Sequence, residues 1–156
     1  MKKIIIVLTI FVFDRITKLY LINLSENGIN VDFQILPFLN FYLVWNTGIG
    51  FVLMSLEADI YYHIVTGVIG AINLALIYLL YTVKNNQVYM IALILGGSLG
   101  NLLDRIIFFA VPDFIDLHLN NFHWFTFNVA DIFISIGILG LIFFEITNKA
   151  KYFTNA

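Results

Sequence analysis

Gly96-Gly97-Ser98-Leu99-Gly100-Asn101-Leu102-Leu103-Asp104-Arg105 lies inside an apolar run that extends from about Tyr89 to Ala110. A run of that length fits a membrane-spanning helix, which needs about 20 mostly apolar residues. Gly96 and Gly100 form a small-xxx-small ridge, which lets a neighbouring backbone approach closely. Asn101 and Asp104 are three apart and share a face. Arg105, next in sequence, is placed to neutralise the Asp104 carboxylate locally. A charge at membrane depth costs about 2.5–3.5 kcal/mol on insertion scales, so each one needs a reason.

Three further runs flank this one: Ile4 to about Leu24, about Ile60 to Val83, and about Thr126 to Thr147. They are too long and too poor in polar alternation to be barrel strands. Composition agrees. Hydrophobic residues make up 61% of the 156-residue chain and charged residues only 12%, about half the usual share of roughly 25%. Eighteen charged side chains cannot cover the surface of a soluble domain of this size. An ordinary cytosolic enzyme and a disordered segment are excluded. A net charge of −2 with no basic patch excludes a nucleic-acid binder. The absence of Cys excludes disulfides, thiolate metal sites and a Cys nucleophile. The reading is an α-helical integral membrane protein, one membrane domain over residues 1–156, with four transmembrane helices at about 4–24, 60–83, 89–110 and 126–147.

Met1-Lys2-Lys3 and the run that follows imitate a secretory signal peptide. No small-residue cleavage site follows, and the run continues through Asp14-Arg15 to Leu24, so it reads as a retained first helix. Lys2, Lys3, Lys84, Lys149 and Lys151 all fall on one side of a four-span chain, whereas the connections at about 25–59 and 111–125 hold no Lys or Arg. By the positive-inside rule both termini are cytoplasmic and both longer connections are outside. Within the first of these, Val31 to Trp45 is rich in aromatic and β-favouring residues and reads as short extracytoplasmic strands after helix 1. Trp45 and Trp124 read as outer-interface anchors.

The remaining intramembrane polar residues suggest a site. Asp14 and Lys18 are four apart, acid first, and can pair along one helix face. Asn128 and Asp131 share a face near the start of helix 4. Asp131 has no cation nearby in sequence, since no Lys or Arg occurs between Arg105 and Lys149. Asp113, after Pro112 at the outer end of helix 3, is also without a local cation. Two carboxylates close together in low dielectric cannot both ionise and share one proton. The ionised partner then takes a proton from water while the protonated one polarises a carbonyl. Spacing leaves open whether Asp131 pairs with Asp104 or with Asp113. Ser98 and Ser135 have no His at matching depth. His63 reads as interfacial, and His118 and His123 lie in an outer loop without a metal-ligand pattern.

Five blocks together resemble the bacterial lipoprotein signal peptidases, the type II signal peptidases. They are Asp14-Arg15-Ile16-Thr17-Lys18, Asn46-Thr47-Gly48-Ile49-Gly50-Phe51, Gly96 to Arg105, Val111-Pro112-Asp113-Phe114-Ile115 and Phe127-Asn128-Val129-Ala130-Asp131. The resemblance implies an aspartyl endopeptidase of the bacterial inner membrane that cuts the signal peptide from a prolipoprotein, just before its diacylglyceryl-modified Cys. It maps the catalytic pair onto Asp113 and Asp131. It makes Asp14, Lys18, Asn46, Gly48, Gly97, Asn101, Asp104, Arg105 and Asn128 supporting or substrate-binding residues. It implies no metal or organic cofactor, the prolipoprotein and membrane lipids as partners, and a monomer with its site near the extracytoplasmic face. Three positions depart from the family pattern: Arg15 stands for a usual Gln, Gly50 for a common Ala, and Pro112 for a common Val. The rival from another class is a small proton-linked transporter or channel subunit, with Asp14, Asp104 and Asp131 as a relay.

Overall fold

The computed structural model describes residues 1–48, 56–120 and 122–154. Ile49, Gly50 and Phe51 of the second block lie outside the described residues. Four helices and a four-stranded antiparallel sheet run in the order α1 (Lys2–Glu26), β1 (Asp32–Leu36), β2 (Leu39–Asn46), α2 (Leu56–Thr82), α3 (Gln87–Phe108), β3 (Val111–Leu119), β4 (Phe122–Phe127) and α4 (Val129–Thr154).

Among the described residues, three helices are long and apolar enough to cross a membrane: Ile60–Thr82, Gln87–Phe108 and Val129–Asn148. α3 is the hub. It packs against α1, α2 and α4, and 56% of its apolar window is buried, against 17% for α2 and for α4. Its three glycines explain how. A Cβ on Gly96 would lie 2.9 Å from the Val7 carbonyl oxygen and from Ile10 Cβ of α1, and one on Gly100 would collide with the Asp14 carboxylate. The Gly96–Gly100 ridge therefore faces α1. Gly97 faces the other way, where a Cβ would lie 2.5 Å from the Ala130 carbonyl oxygen at the start of α4. Ile91, Ala92 and Leu95 of α3 share a core with Val7 of α1 and with Leu76 and Leu80 of α2.

The sheet order is β1-β2-β3-β4. The strands expected over Val31–Trp45 are β1 and β2, hinged at Pro37 and Phe38. A second core of Leu21, Val31, Phe114, Ile115 and Val129 fixes the sheet to the ends of α1 and α4.

Two helix boundaries expected from the sequence are corrected. Helix 3 ends at Phe108, with Phe109 in the left-handed region (φ 55°), rather than at Ala110. Helix 4 begins at Val129, because Phe122–Phe127 forms β4. The apolar, aromatic character that made Thr126 and Phe127 resemble helix serves a strand equally well. Pro112 biases Val111 toward extended backbone, and Val111 opens β3. Asp113 accordingly sits on a strand, paired with Val44, and not at a helix end.

Gly97→Val is expected to lower the melting temperature in detergent by several degrees, because overpacking costs about 1–3 kcal/mol and the obstacle is backbone. Gly67→Val, where a Cβ meets nothing within 4 Å, is the comparison. Equal melting temperatures for the two variants would refute close α3–α4 contact at Gly97.

Candidate active site

Lys18 is 0% exposed, and each of its three N–H groups has a separate acceptor: Asp14 Oδ2 at 2.8 Å, Asn101 Oδ1 at 2.7 Å and Asp104 Oδ2 at 2.7 Å. The expected Asp14–Lys18 pair along α1 is present. Asp104 is not neutralised by Arg105, as the sequence suggested. Its second oxygen takes the guanidinium of Arg15 from α1. Side chains of consecutive helical residues point about 100° apart, so Arg105 faces elsewhere. Its Nη1 donates to the Asn101 carbonyl, and its own carbonyl accepts from Tyr62. Asp14 and Asp104 against Lys18 and Arg15 form a cluster with no net charge.

Asn101 carries this cluster to the next carboxylate. Its oxygen accepts from Lys18, and its Nδ2 donates to Asp131 Oδ1 at 2.8 Å. Asp131 and Asn128 then cap the start of α4 reciprocally. The Asn128 N–H donates to Asp131 Oδ2 and the Asp131 N–H to Asn128 Oδ1, both at 3.1 Å, the geometry of a capping box. Another donor of this helix start without an intrahelical partner, the buried Ala130 N–H, is taken by Asp14 Oδ1 at 3.0 Å. Acids are favoured here, because a helix N-terminus carries partial positive charge.

Asn128 also reaches the sheet. Its Nδ2 donates to Asp113 Oδ1 at 2.6 Å, and Asn46 Nδ2 donates to Asp113 Oδ2 at 2.8 Å. A bulge in β2 between Phe41 and Val44 re-registers the strand so that Asn46 pairs with Val111, diagonal to Asp113. Asn46 Oδ1 in turn accepts the Gly48 N–H at 2.8 Å. Gly48 has φ +74°, so glycine is needed there for its conformation. The space where its Cβ would stand is otherwise open, with Arg105 Nη2 at 3.8 Å.

Asp113 is 3% exposed. Burial pushes its carboxyl above the ordinary range and the Asp131 charge adds to this, while the Asn46 and Asn128 hydrogen bonds and the Lys18 charge pull it down. Among the described residues neither Asp113 nor Asp131 makes an ion pair, whereas Asp14 and Asp104 both do. Asp131 borders an apolar groove of about 450 Å³, lined by Leu117, Trp124, Phe125, Phe127, Ile132, Ser135, Ile136 and Leu139. The arrangement offers one buried and one accessible carboxylate, joined through a single asparagine, beside an apolar trough.

A family model described as signal peptidase (SPase) II matches residues 6–147. The chain belongs to the signal peptidase II family. A relative from Pelagibacter ubique (strain HTCC1062) named lipoprotein signal peptidase is 51% identical over 142 residues, covering 91% of this chain and 86% of that protein. One from Aquifex aeolicus (strain VF5) with the same name is 40% identical over 140 residues, covering 88% and 81%. A solved structure described as a bacterial membrane enzyme, determined by the in meso method at 2.3 Å resolution, superposes with a TM-score of 0.74 at 26% identity. It covers 96% of this chain and 90% of that one.

The structure brings together every site residue that the sequence suggested, with Gly97 acting through helix packing and Arg105 at the margin beneath Gly48. Sequence reasoning missed the role of Arg15. It also missed Asn73, whose Nδ2 donates to Ser98 Oγ at 2.9 Å and joins α2 to α3. His118 and His123, which showed no ligand pattern along the chain, meet Asp116 in space.

Lys18→Met is expected to cost about 3–5 kcal/mol of stability, the range for breaking a buried ion pair, because Asp14 and Asp104 lose a shared cation. Thermal unfolding in detergent checks this. A variant as stable as the parent would show that the cluster does not hold α1 to α3.

Proposed function

We propose that this chain is an intramembrane aspartyl endopeptidase that removes the signal peptide from prolipoproteins, cleaving before the diacylglyceryl-modified Cys, with Asp113 and Asp131 as its catalytic pair. The observation that carries the assignment is the difference in neutralisation. Lys18 and Arg15 occupy Asp104 and Asp14, which favours Asp113 over Asp104 as the partner of Asp131. Asn128 donates to both carboxylates, by its N–H to Asp131 and by its Nδ2 to Asp113.

The division of labour follows from exposure. Asp113, pushed up by burial, keeps the shared proton and gives it to the oxygen of the scissile carbonyl. Asp131, on the groove, takes a proton from the attacking water as its oxygen bonds to the carbonyl carbon. The proton on Asp131 then goes to the departing amine as the C–N bond breaks, and Asp113 takes its proton back as the carbonyl re-forms. Asn46 and Asn128 fix the Asp113 carboxyl in place. The groove beside Asp131 suits the apolar flank of a lipid-modified substrate. Its presence adds direct protein contact to the membrane orientation that a diacylglyceryl group supplies.

α1 has the length of a span, and its charged residues Asp14, Arg15 and Lys18 turn inward while Leu8, Val12, Ile16 and Leu19 face outward. Lys3 Nζ donates to the Leu80 carbonyl at the end of α2 at 2.6 Å, which puts the N-terminus and the α2–α3 turn at one end of the molecule. With the Lys bias, this supports four spans in one membrane domain, both termini in the cytoplasm, and the sheet and carboxylate pair outside. The protein acts as a monomer in the bacterial inner membrane.

Asp113→Asn and Asp131→Asn are each expected to reduce cleavage of a diacylglyceryl-modified prolipoprotein by about 10²–10⁴-fold or more, with the protein folded. Mass analysis of the fragments reads this out. Asp104→Asn is expected to act through stability, by loss of Arg15 and Lys18 pairing. Near-parental turnover in either of the first two variants would remove the pair from the mechanism.

The raised Asp113 carboxyl sets a pH dependence. Between the ordinary carboxyl range and its raised value the folded state holds a proton that the unfolded state has released, so stability falls as pH rises through that window. Asp113→Asn is expected to remove this slope and to melt higher than the parent at neutral pH. Superimposable melting-temperature profiles against pH would contradict the burial of an unneutralised Asp113.

Because the chain holds no Cys, single substitutions report topology cleanly. Lys84→Cys is expected to react with an impermeant maleimide only from the cytoplasmic side, and Asn120→Cys only from outside. Labelling of both from one side would reject the four-span arrangement.

A further inference from the structure

We propose that Asp116, His118 and His123 form a binding site for one divalent transition-metal ion of the zinc type, on the face of the β3–β4 hairpin turned away from Asp113. Asp116 and His118 are two apart on β3 and so share a face, while Asp113 points to the other, about 10 Å along the strand at 3.3 Å per residue. β4 completes the set. Leu117 pairs with Phe125 but His118 pairs with His123, so Trp124 is an extra residue that brings His123 opposite His118. The two imidazoles stack with centroids 5.5 Å apart. Their Nδ1 atoms lie 2.7 Å (His123) and 3.5 Å (His118) from Asp116 Oδ2. One ligand atom from each residue lies within 4.8 Å of the others. Tetrahedral zinc with bonds of about 2.0 Å holds ligand atoms roughly 3.3 Å apart, so small side-chain rotations suffice.

Three observations favour an ion over a plain hydrogen-bonded cluster. Asp116 is 1% exposed, and among the described residues it has, besides the two rings, only a distant hydroxyl, Thr126 Oγ1 at 3.5 Å. His118 has a side chain 9% exposed, and its Nδ1 is buried, aimed at Asp116 and, among the described residues, without a hydrogen-bond partner. No Lys or Arg occurs between Arg105 and Lys149 to offset the carboxylate locally. Two imidazoles and one carboxylate form a borderline donor set that selects zinc-like ions over Mg²⁺ or Ca²⁺. His123 is 60% exposed, which leaves a fourth position open to water. The ion would clip β4 to β3, the strand that carries Asp113.

Untagged protein in detergent, stripped with a chelator and desalted, is titrated with ZnCl₂ and, in parallel, with MgCl₂. About one zinc per chain is expected to survive desalting, with a rise in melting temperature that the chelator reverses and Mg²⁺ does not produce. Co²⁺ is expected to give the visible absorption of a four-coordinate site. His123→Ala, at an exposed position, should melt like the metal-free parent and lose the zinc, the shift and the cobalt band together. His118→Ala should do the same. Equal zinc retention by His123→Ala and the parent, or no retained zinc and no shift in the parent, would overturn the proposal.

Discussion

A lysine ammonium with no access to water must find three acceptors or lose its charge. Lys18 finds them on two helices, and the architecture of the site follows from that requirement. Asp14 comes from its own helix, Asn101 and Asp104 from α3. Each acceptor then has a further obligation. Asp14 ties the start of α4, Asp104 takes Arg15, and Asn101 turns its amide to Asp131. The glycines of α3 make this possible, because only a bare backbone lets α1 and α4 come close enough on opposite sides. The cluster is a weak source of stability in itself, since desolvation offsets much of the Coulomb gain. What it supplies is register.

Asn128 plays the corresponding part at the boundary between helices and sheet. One side chain caps α4 through its oxygen and holds Asp113 through its nitrogen. A substitution that lost the side-chain nitrogen would release Asp113 and break the link between the two carboxylates, whose other half is the Asn128 backbone N–H to Asp131. The pair therefore rests on rigid elements, a strand and the first turn of a helix. Such elements place reacting groups more accurately than loops do.

Much of this was legible in the sequence. The apolar runs located the helices, the Lys distribution suggested an orientation, and the β-favouring stretch from Val31 to Trp45 became β1 and β2. The Asp14–Lys18 and Asn128–Asp131 spacings were correct because both are local, set by helical periodicity. The errors share a different cause. Asp104 was given to Arg105 because adjacency in sequence is visible and the approach of Arg15 from another helix is not. The second hairpin fell in the connection at about 111–125, which reads as a plain outer loop, and its last two residues, Thr126 and Phe127, were given to a span. The signal available was Asn120-Asn121, a turn-favouring pair between two β-favouring runs, and Asn120 does adopt φ 53°. The meeting of His118 and His123 with Asp116 depends on one extra residue in β4, which no ligand-spacing rule anticipates.

The pairing of Asp14 with Lys18 also bears on biogenesis. α1 is synthesised long before α3, and for that interval none of the distant partners of its charged residues exists. An acid and a base four residues apart on one helix can satisfy each other without waiting. Until then the middle of α1 carries one unmatched cation, Arg15, in place of three separate charges. When α3 arrives, the same lysine keeps its first partner and gains two more. The helix is provisioned for both stages, a solitary one and a final one in which its ammonium organises the neighbours.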